Sequence, residues 1–331
     1  MELRQKLLAL EASMNEQVIG QHELVRMLLI ALLCDGHVLL EGLPGLAKTR
    51  AVRTLAGHLE GEYRRIQFTP DLLPSDITGS EIYQQHAERE EDQFRFRPGP
   101  VFGNIILADE INRASARVQS ALLEAMEERH VTVAGKTWPL PGVFMVLATQ
   151  NPVDQEGTWP LPEAQLDRFL MKVIVDYPSR ENEQRVMQLV RSEQQAKYQT
   201  ADSTPAKHQT DITLDQQSIA ECWRAIASIY VAPAVENYIV NLVEMTRQPQ
   251  QVSDAFASYI SLGVSPRGTL ALDRCGRAYA WLEGRDAVLP EDIRRIAPAV
   301  LRHRLLLSYQ AAADNCLADD AVRMLLDAVV A

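Results

Sequence analysis

Between residues 42 and 49 the chain reads GLPGLAKT, and Lys48 and Thr49 are of the types that hold phosphate oxygens and a divalent cation. Gly42, Lys48 and Thr49 follow the phosphate-loop spacing GxxxxGK[ST]; Ala47 stands at the last glycine position, and Gly45 supplies another flexible point. In such a loop, backbone N–H groups converge on the phosphates and lead into a helix N-terminus that favours anions. Lys48 would reach the β- and γ-phosphates, and the Thr49 hydroxyl would ligate magnesium. Taken alone, the segment also reads as a glycine-containing strand-to-helix turn.

A second motif narrows the choice. Residues 104–110 read NIILADE, an apolar strand ending in two carboxylates. Asp109 is suited to hold magnesium through its water shell, and Glu110 to polarise an attacking water as a base. Two adjacent carboxylates at a strand end are costly unless solvent or a cation accepts them, so an exposed strand end is the plain alternative. Further on, residues 149–152 read TQNP. Asn151 would orient the water if its strand lies between the first and third; otherwise it caps a turn.

These residues need a scaffold that brings strand ends together. Five buried strands are expected at His37 to Glu41, Tyr63 to Phe68, Asn104 to Asp109, Val143 to Thr149 and Phe169 to Val175. The third and fourth are nearly all apolar, as strands covered on both faces are. Val118 to Arg129 has helical periodicity. Near Pro178 the alternation of strand and helix stops, and Ser192 to Asp211 is polar enough to read as a loop or linker. Helical patterns follow at Asp215 to Ile229, Pro233 to Thr246, Arg267 to Glu283 and Pro290 to Leu306, with Pro233 and Pro290 at first-turn positions. Ligands of open α/β sheets bind at the C-terminal ends of the strands, where both motifs lie.

The 331 residues favour two domains. The formal charge of -11 disfavours broad binding to nucleic acid. The longest apolar runs are too short to span a bilayer, and the charged N-terminus lacks a signal-peptide core, so a cytoplasmic location is expected. Cys34, Cys222, Cys275 and Cys316 form no CxxC pair and read as small buried hydrophobes. The seven histidines show no ligand spacing, which leaves magnesium with the nucleotide as the expected metal; His303 reads as structural.

The motifs, in this order, resemble those of AAA+ ATPases, and most closely the MoxR family. The blocks that carry the resemblance are VIGQ (18–21), GLPGLAKT (42–49), IQFTPDLLPSDITG (66–79), GPVF (99–102), LADEINR (107–113), ATQNP (148–152), LPEAQLDRF (161–169) and GVSPRG (263–268). The family's own loop commonly has alanine at the Ala47 position. The resemblance implies a P-loop α/β core with a parallel five-stranded sheet, spanning 1–178, a linker over 179–213, and a smaller all-helical lid over 214–331. It implies an insert in the second helix at about 81–98 and a hairpin at about 130–141. Val18, Ile19, Gly20 and Gln21 would line the adenine pocket. Gly42, Pro44, Gly45, Leu46, Ala47, Lys48, Thr49 and Arg50 would cradle the phosphates. Asn151 would be the first sensor. Arg267 would reach from the lid to the γ-phosphate of its own subunit. Arg168 resembles the arginine finger that acts on a neighbour, with a surface ion pair as its plain alternative, and Arg113 is a weaker candidate for the same interface.

The function implied is ATP hydrolysis with magnesium by a ring, expected to be hexameric. The ring would remodel or mature a protein client, chaperone-like, with a partner that bears a von Willebrand factor A domain. A nucleic-acid motor and the motor subunit of a metal-chelatase-like complex are the alternatives.

Overall fold

The computed structural model describes residues 3–43, 45–83, 94–151, 158–199 and 212–330. Pro44, the middle of the expected insert (84–93) and the second part of the expected linker (200–211) lie outside the described residues.

Five strands form one parallel sheet in the order β2-β5-β8-β1-β9. They are β1 (Val38–Glu41), β2 (Tyr63–Gln67), β5 (Ile105–Asp109), β8 (Met145–Gln150) and β9 (Met171–Ile174). Two antiparallel pairs stand apart: β3 (Gly79–Tyr83) with β4 (Phe94–Pro98), and β6 (His130–Val133) with β7 (Lys136–Pro139). Ala134 and Gly135 turn the second pair with φ of 50° and 78°, the left-handed values a two-residue hairpin needs. Phe96 stacks on Trp138 with ring centroids 4.5 Å apart, which joins the two pairs.

The side-chain period of two divides the sheet into two cores. Val38, Leu40, Ile105, Leu107, Met145 and Leu147 face one side, with α1 (Leu3–Gln17), α2 (His22–Leu33) and α3 (Lys48–Gly57). Leu39, Ile106, Ala108, Val146 and Ala148 face the other, under α4 (Pro74–Thr78), α5 (Ala116–Glu128) and α6 (Glu163–Leu166). Burial on both faces explains why these strands read as unbroken apolar runs.

A long helix follows the sheet: α7 (Arg180–Gln199) has 20 residues, so the expected linker begins as helix. Its composition misleads because most of the helix is exposed and needs little aliphatic surface; Glu181 and Glu183 lie in its first turn, where carboxylates favour a helix start. The C-terminal part contains α8 (Gln216–Ala227), α9 (Pro233–Arg247), α10 (Asp254–Tyr259), α11 (Pro266–Leu282), α12 (Pro290–Leu301), α13 (Tyr309–Ala313) and α14 (Ala318–Ala328). A short pair, β10 (Ile260–Leu262) with β11 (Leu306–Leu307), adds to them. Leu272, Cys275, Ile296 and Val300 of these helices belong to the same hydrophobic cluster as Val38 and Leu40 of the sheet.

Arg304 fixes this helical part to the sheet. Its Nε donates to Asp167 Oδ1 (2.8 Å), Nη1 to the carbonyls of Leu170 (3.0 Å) and Val300 (2.5 Å), and Nη2 to those of Phe169 (2.6 Å) and Asp167 (3.1 Å). All five donors of the guanidinium are used. The neighbouring His303 is buried, donates Nε2–H to the Phe169 carbonyl at 3.1 Å and is held neutral by burial and by the Arg304 charge, a structural role. The Arg304 side chain is only 3% exposed. Removing it takes the guanidinium from Asp167 Oδ1 and from four carbonyls, leaving Asp167 with the Ser265 hydroxyl, so Arg304→Ala should lower the unfolding free energy by about 3–5 kcal/mol in urea titrations.

Candidate nucleotide site and a second arginine site

The phosphate loop joins the end of β1 to the start of α3. Ala47 adopts φ 60°, the left-handed conformation that the usual glycine supplies freely, at a cost of about 1–2 kcal/mol. Gly45 is also left-handed, with φ 87°, and a side chain there would meet nothing within 4 Å. Among the described residues no side chain caps α3, which leaves its first-turn N–H groups facing the loop. Lys48 lies under the loop. Its ammonium donates to the Gly42 carbonyl, more weakly to the Gln150 carbonyl (3.5 Å) and to Asn151 Oδ1 (3.4 Å). Burial pulls its pKa down, while the charges of Asp109, Glu110 and Glu41 act against that shift.

The two carboxylates stand two strands away, at the end of β5. Because β8 lies between β1 and β5, its last residues reach both motifs. Thr149 Oγ1 donates to Asp109 Oδ1 at 2.6 Å and accepts the Glu110 N–H at 2.9 Å, so one hydroxyl fixes both acidic residues. Glu110 itself has φ 56°, which turns the chain sharply out of the strand. Arg65 Nη2 on β2 donates to Asp109 Oδ2 at 2.5 Å. Gln67 Nε2 (3.1 Å) and Arg113 Nη1 (2.9 Å) both donate to Glu110 Oε2. Arg113 therefore serves the carboxylate of its own chain. The Thr49 hydroxyl and the Asp109 carboxylate are the hard oxygen donors that magnesium takes, and with Lys48 and the open loop the residues fit a magnesium–triphosphate.

The third wall comes from the turn between α1 and α2. Val18 and Ile19 are buried, Gly20 has φ 79°, and a side chain at Gly20 would lie 2.7 Å from Asn182 of α7. Gln21 Nε2 donates to the Asp176 carbonyl (2.8 Å). Arg50 Nε donates to the Gln17 carbonyl (2.7 Å), and its guanidinium pairs with Glu193 of α7. The first part of the segment read as a linker thus packs against the turn between α1 and α2 and pairs with Arg50 of α3.

Arg168 and Arg267 are elsewhere. Both bond Glu127, near the C-terminus of α5: Arg168 Nε at 2.9 Å from Oε2, and Arg267 Nη2 on Oε1. They line a cleft of about 450 Å³ together with Gly36, His37 and Leu170. Those residues precede β1 and β9, so the cleft is at the N-terminal ends of the strands and the phosphate loop is at the C-terminal ends. The expectation that Arg267 reaches the γ-phosphate of its own subunit is corrected by this placement. The cause is a tether: Ser265 Oγ accepts the Arg267 N–H at 3.1 Å, capping α11, and donates to Asp167 Oδ2 at 2.7 Å. Asp167 thereby holds the N-terminus of α11 at the start of β9. His37 is structural in the same wall. Its Nε2–H donates to the Met126 carbonyl (3.3 Å), Nδ1 accepts the Val146 N–H (3.0 Å), and burial pushes its pKa down to about 3.

Sequence reading missed Arg65, Gln67, Thr149 and Glu127. The only signal for the first two is that they alternate on β2, with Gln67 in register with Asp109.

Residues 37–171 match the family described as "ATPase family associated with various cellular activities (AAA)", and residues 253–324 match "AAA lid domain". Chaperone MoxR1 of Mycobacterium tuberculosis is 45% identical over 313 residues, which cover 94% of this chain and 78% of that protein. The chain belongs to the MoxR family of AAA+ ATPases. Another relative, protein MoxR of Paracoccus denitrificans, is 36% identical over 90% of this chain and 88% of its own. A crystal structure of a candidate ATPase from Cytophaga hutchinsonii superposes with a TM-score of 0.87 at 42% identity, covering 99% of this chain and 95% of that one. The sheet with its helical C-terminal part is the α/β AAA+ fold with a helical lid. Among the described residues of this MoxR-family chain, no helix is long and apolar enough to cross a membrane.

Proposed function

We propose that this chain hydrolyses ATP with magnesium at sites shared between neighbouring subunits of a ring, and uses the cycle to remodel or mature a protein complex. One observation carries the reading. The phosphate loop with its carboxylates lies at one end of the sheet, and the arginines suited to a transferring phosphoryl group lie at the other. A single copy therefore cannot bring both to one nucleotide, whereas head-to-tail contacts can, and such contacts that close make a ring. A hexamer is the expected closure.

In this reading Lys48 leaves the Gly42 carbonyl for the phosphates, and the first turn of α3 receives their charge. Thr49 and Asp109 hold magnesium, which when bound neutralises phosphate oxygens. Asn151 orients the water and Glu110 takes its proton. Arg168 and Arg267 stabilise charge on the neighbour's transferring group. Val18 to Gln21 hold the base side and Arg50 the phosphate side, so α7 registers the nucleotide through Asn182 beside Gly20 and Glu193 on Arg50.

The name of the relative chaperone MoxR1 supports protein remodelling over other motor roles. A protein client suits the exposed Tyr83 and Phe94 on the β3–β4 pair, and the family resemblance points to a partner with a von Willebrand factor A domain. The acidic balance weighs against nucleic acid. The deciding test is specific ATPase activity against protein concentration with magnesium. Activity per chain should rise about tenfold or more between dilute and assembled protein; a flat profile would mean that one chain holds a complete site.

A further inference from the structure

Glu127, near the C-terminus of α5, contacts two arginines at once. Its two oxygens serve one guanidinium each, Oε2 that of Arg168 and Oε1 that of Arg267. The arginines come from different elements, the stretch before β9 and the first turn of α11, so the carboxylate sets the spacing between two separate cations. Two guanidinium groups converging on the oxygens of one anionic centre is also the arrangement a terminal phosphate takes. The other acids of the cleft are committed elsewhere: Asp167 to Arg304 and Ser265, and Asp35 to Arg129 at 2.8 Å. Of the charged groups lining the cleft, five are arginines and three are carboxylates, so it retains an excess of positive charge even with Glu127 in place. All three members of the contact reach solvent, at 35% exposure for Glu127, 31% for Arg168 and 45% for Arg267. The carboxylate can turn outward without being buried unpaired.

We propose that Glu127 is a positioning residue: a resident carboxylate that holds Arg168 and Arg267 as a pair until the terminal phosphate of a neighbouring copy's nucleotide displaces it. This rests on the shared-site reading above. It adds that the free chain carries its own competitor for the phosphate. The competition opposes assembly around ATP and is irrelevant to assembly around ADP, which lacks the displacing group.

The test measures the protein concentration at half-assembly by sedimentation. It is run with magnesium and either a non-hydrolysable ATP analogue or ADP. Glu127→Gln keeps the shape and removes the charge. Its midpoint should fall about three- to tenfold with the analogue, the scale of two exposed ion pairs, and stay in place with ADP. Glu127→Asp, which keeps the charge, should restore the wild-type midpoint. Glu127→Ala is a second neutral variant with the same expected direction, and thermal melting checks that each variant is folded. A midpoint that does not move in the neutral variants, or moves equally with both nucleotides, overturns the proposal and makes the contact an ordinary surface ion pair. Arg168→Ala separates the two ideas. If it raises the analogue midpoint while the Glu127 variants are silent, the shared site stands and only the role of Glu127 is lost. If it too is silent, the shared-site reading fails and this inference fails with it.

Discussion

Arg168→Ala should lower magnesium-dependent ATP turnover of the assembled protein by about 10³-fold or more, with ATP binding retained. An arginine that enters a phosphoryl-transfer site from a neighbour contributes about 10³–10⁵ in rate, because it meets charge that develops only in the transition state. In this chain Arg168 is at the N-terminal side of β9, away from the Lys48 loop, and among the described residues its carboxylate partner is Glu127. Turnover measured at saturating protein, alongside fluorescent-nucleotide binding, checks both halves of the expectation. Mixing gives a sharper check. Chains with Arg168→Ala keep Glu110, and chains with Glu110→Gln keep Arg168, so two inactive proteins mixed together should recover activity at interfaces that combine the intact halves. A mixture as inactive as its parts would show that the two residues are needed within one chain.

Glu110→Gln should lower turnover by about 10²–10⁴-fold, the range a positioned general base supplies, while the affinity for ATP stays within about threefold. The substitution is close to a pure test of proton acceptance. The backbone geometry that aims the side chain is set by φ 56° and by the bond from the Glu110 N–H to Thr149 Oγ1, neither of which involves the carboxylate. The glutamine carbonyl can still accept from Gln67 Nε2 and Arg113 Nη1. The variant should therefore fold as wild type and accumulate bound ATP, visible as unhydrolysed nucleotide retained through gel filtration. Loss of ATP binding in parallel with turnover would instead place Glu110 in the binding step and remove it as the base.

Much of the scaffold was legible because the physics that makes it is local. The strands Ile105–Asp109 and Met145–Gln150 declare themselves as unbroken apolar runs, and Pro233, Pro266 and Pro290 mark helix starts. The polar helix Arg180–Gln199 was read as part of the linker over 179–213, since an exposed helix carries no apolar stripe to distinguish it from a loop. Gln67 and Arg65 were invisible for a different reason. They matter only through the pairing of β2 with β5, which no spacing along the chain encodes.

The sequence by itself determined the chemistry of one half-site: a loop with Lys48 and Thr49 after a strand, and Asp109 with Glu110 after another, since these depend on residue type and short spacing. Tertiary structure alone decided which ends of the sheet the arginines occupy. Arg267 was read as reaching its own nucleotide, and the Ser265–Asp167 tether together with Arg304 places it instead beside Arg168, at the far end of the strands. The physical reason is that a helix start can be pinned to any strand end that offers it a partner. Here Asp167 is that partner, and its bonds span about a hundred residues of sequence that carry no local sign of them.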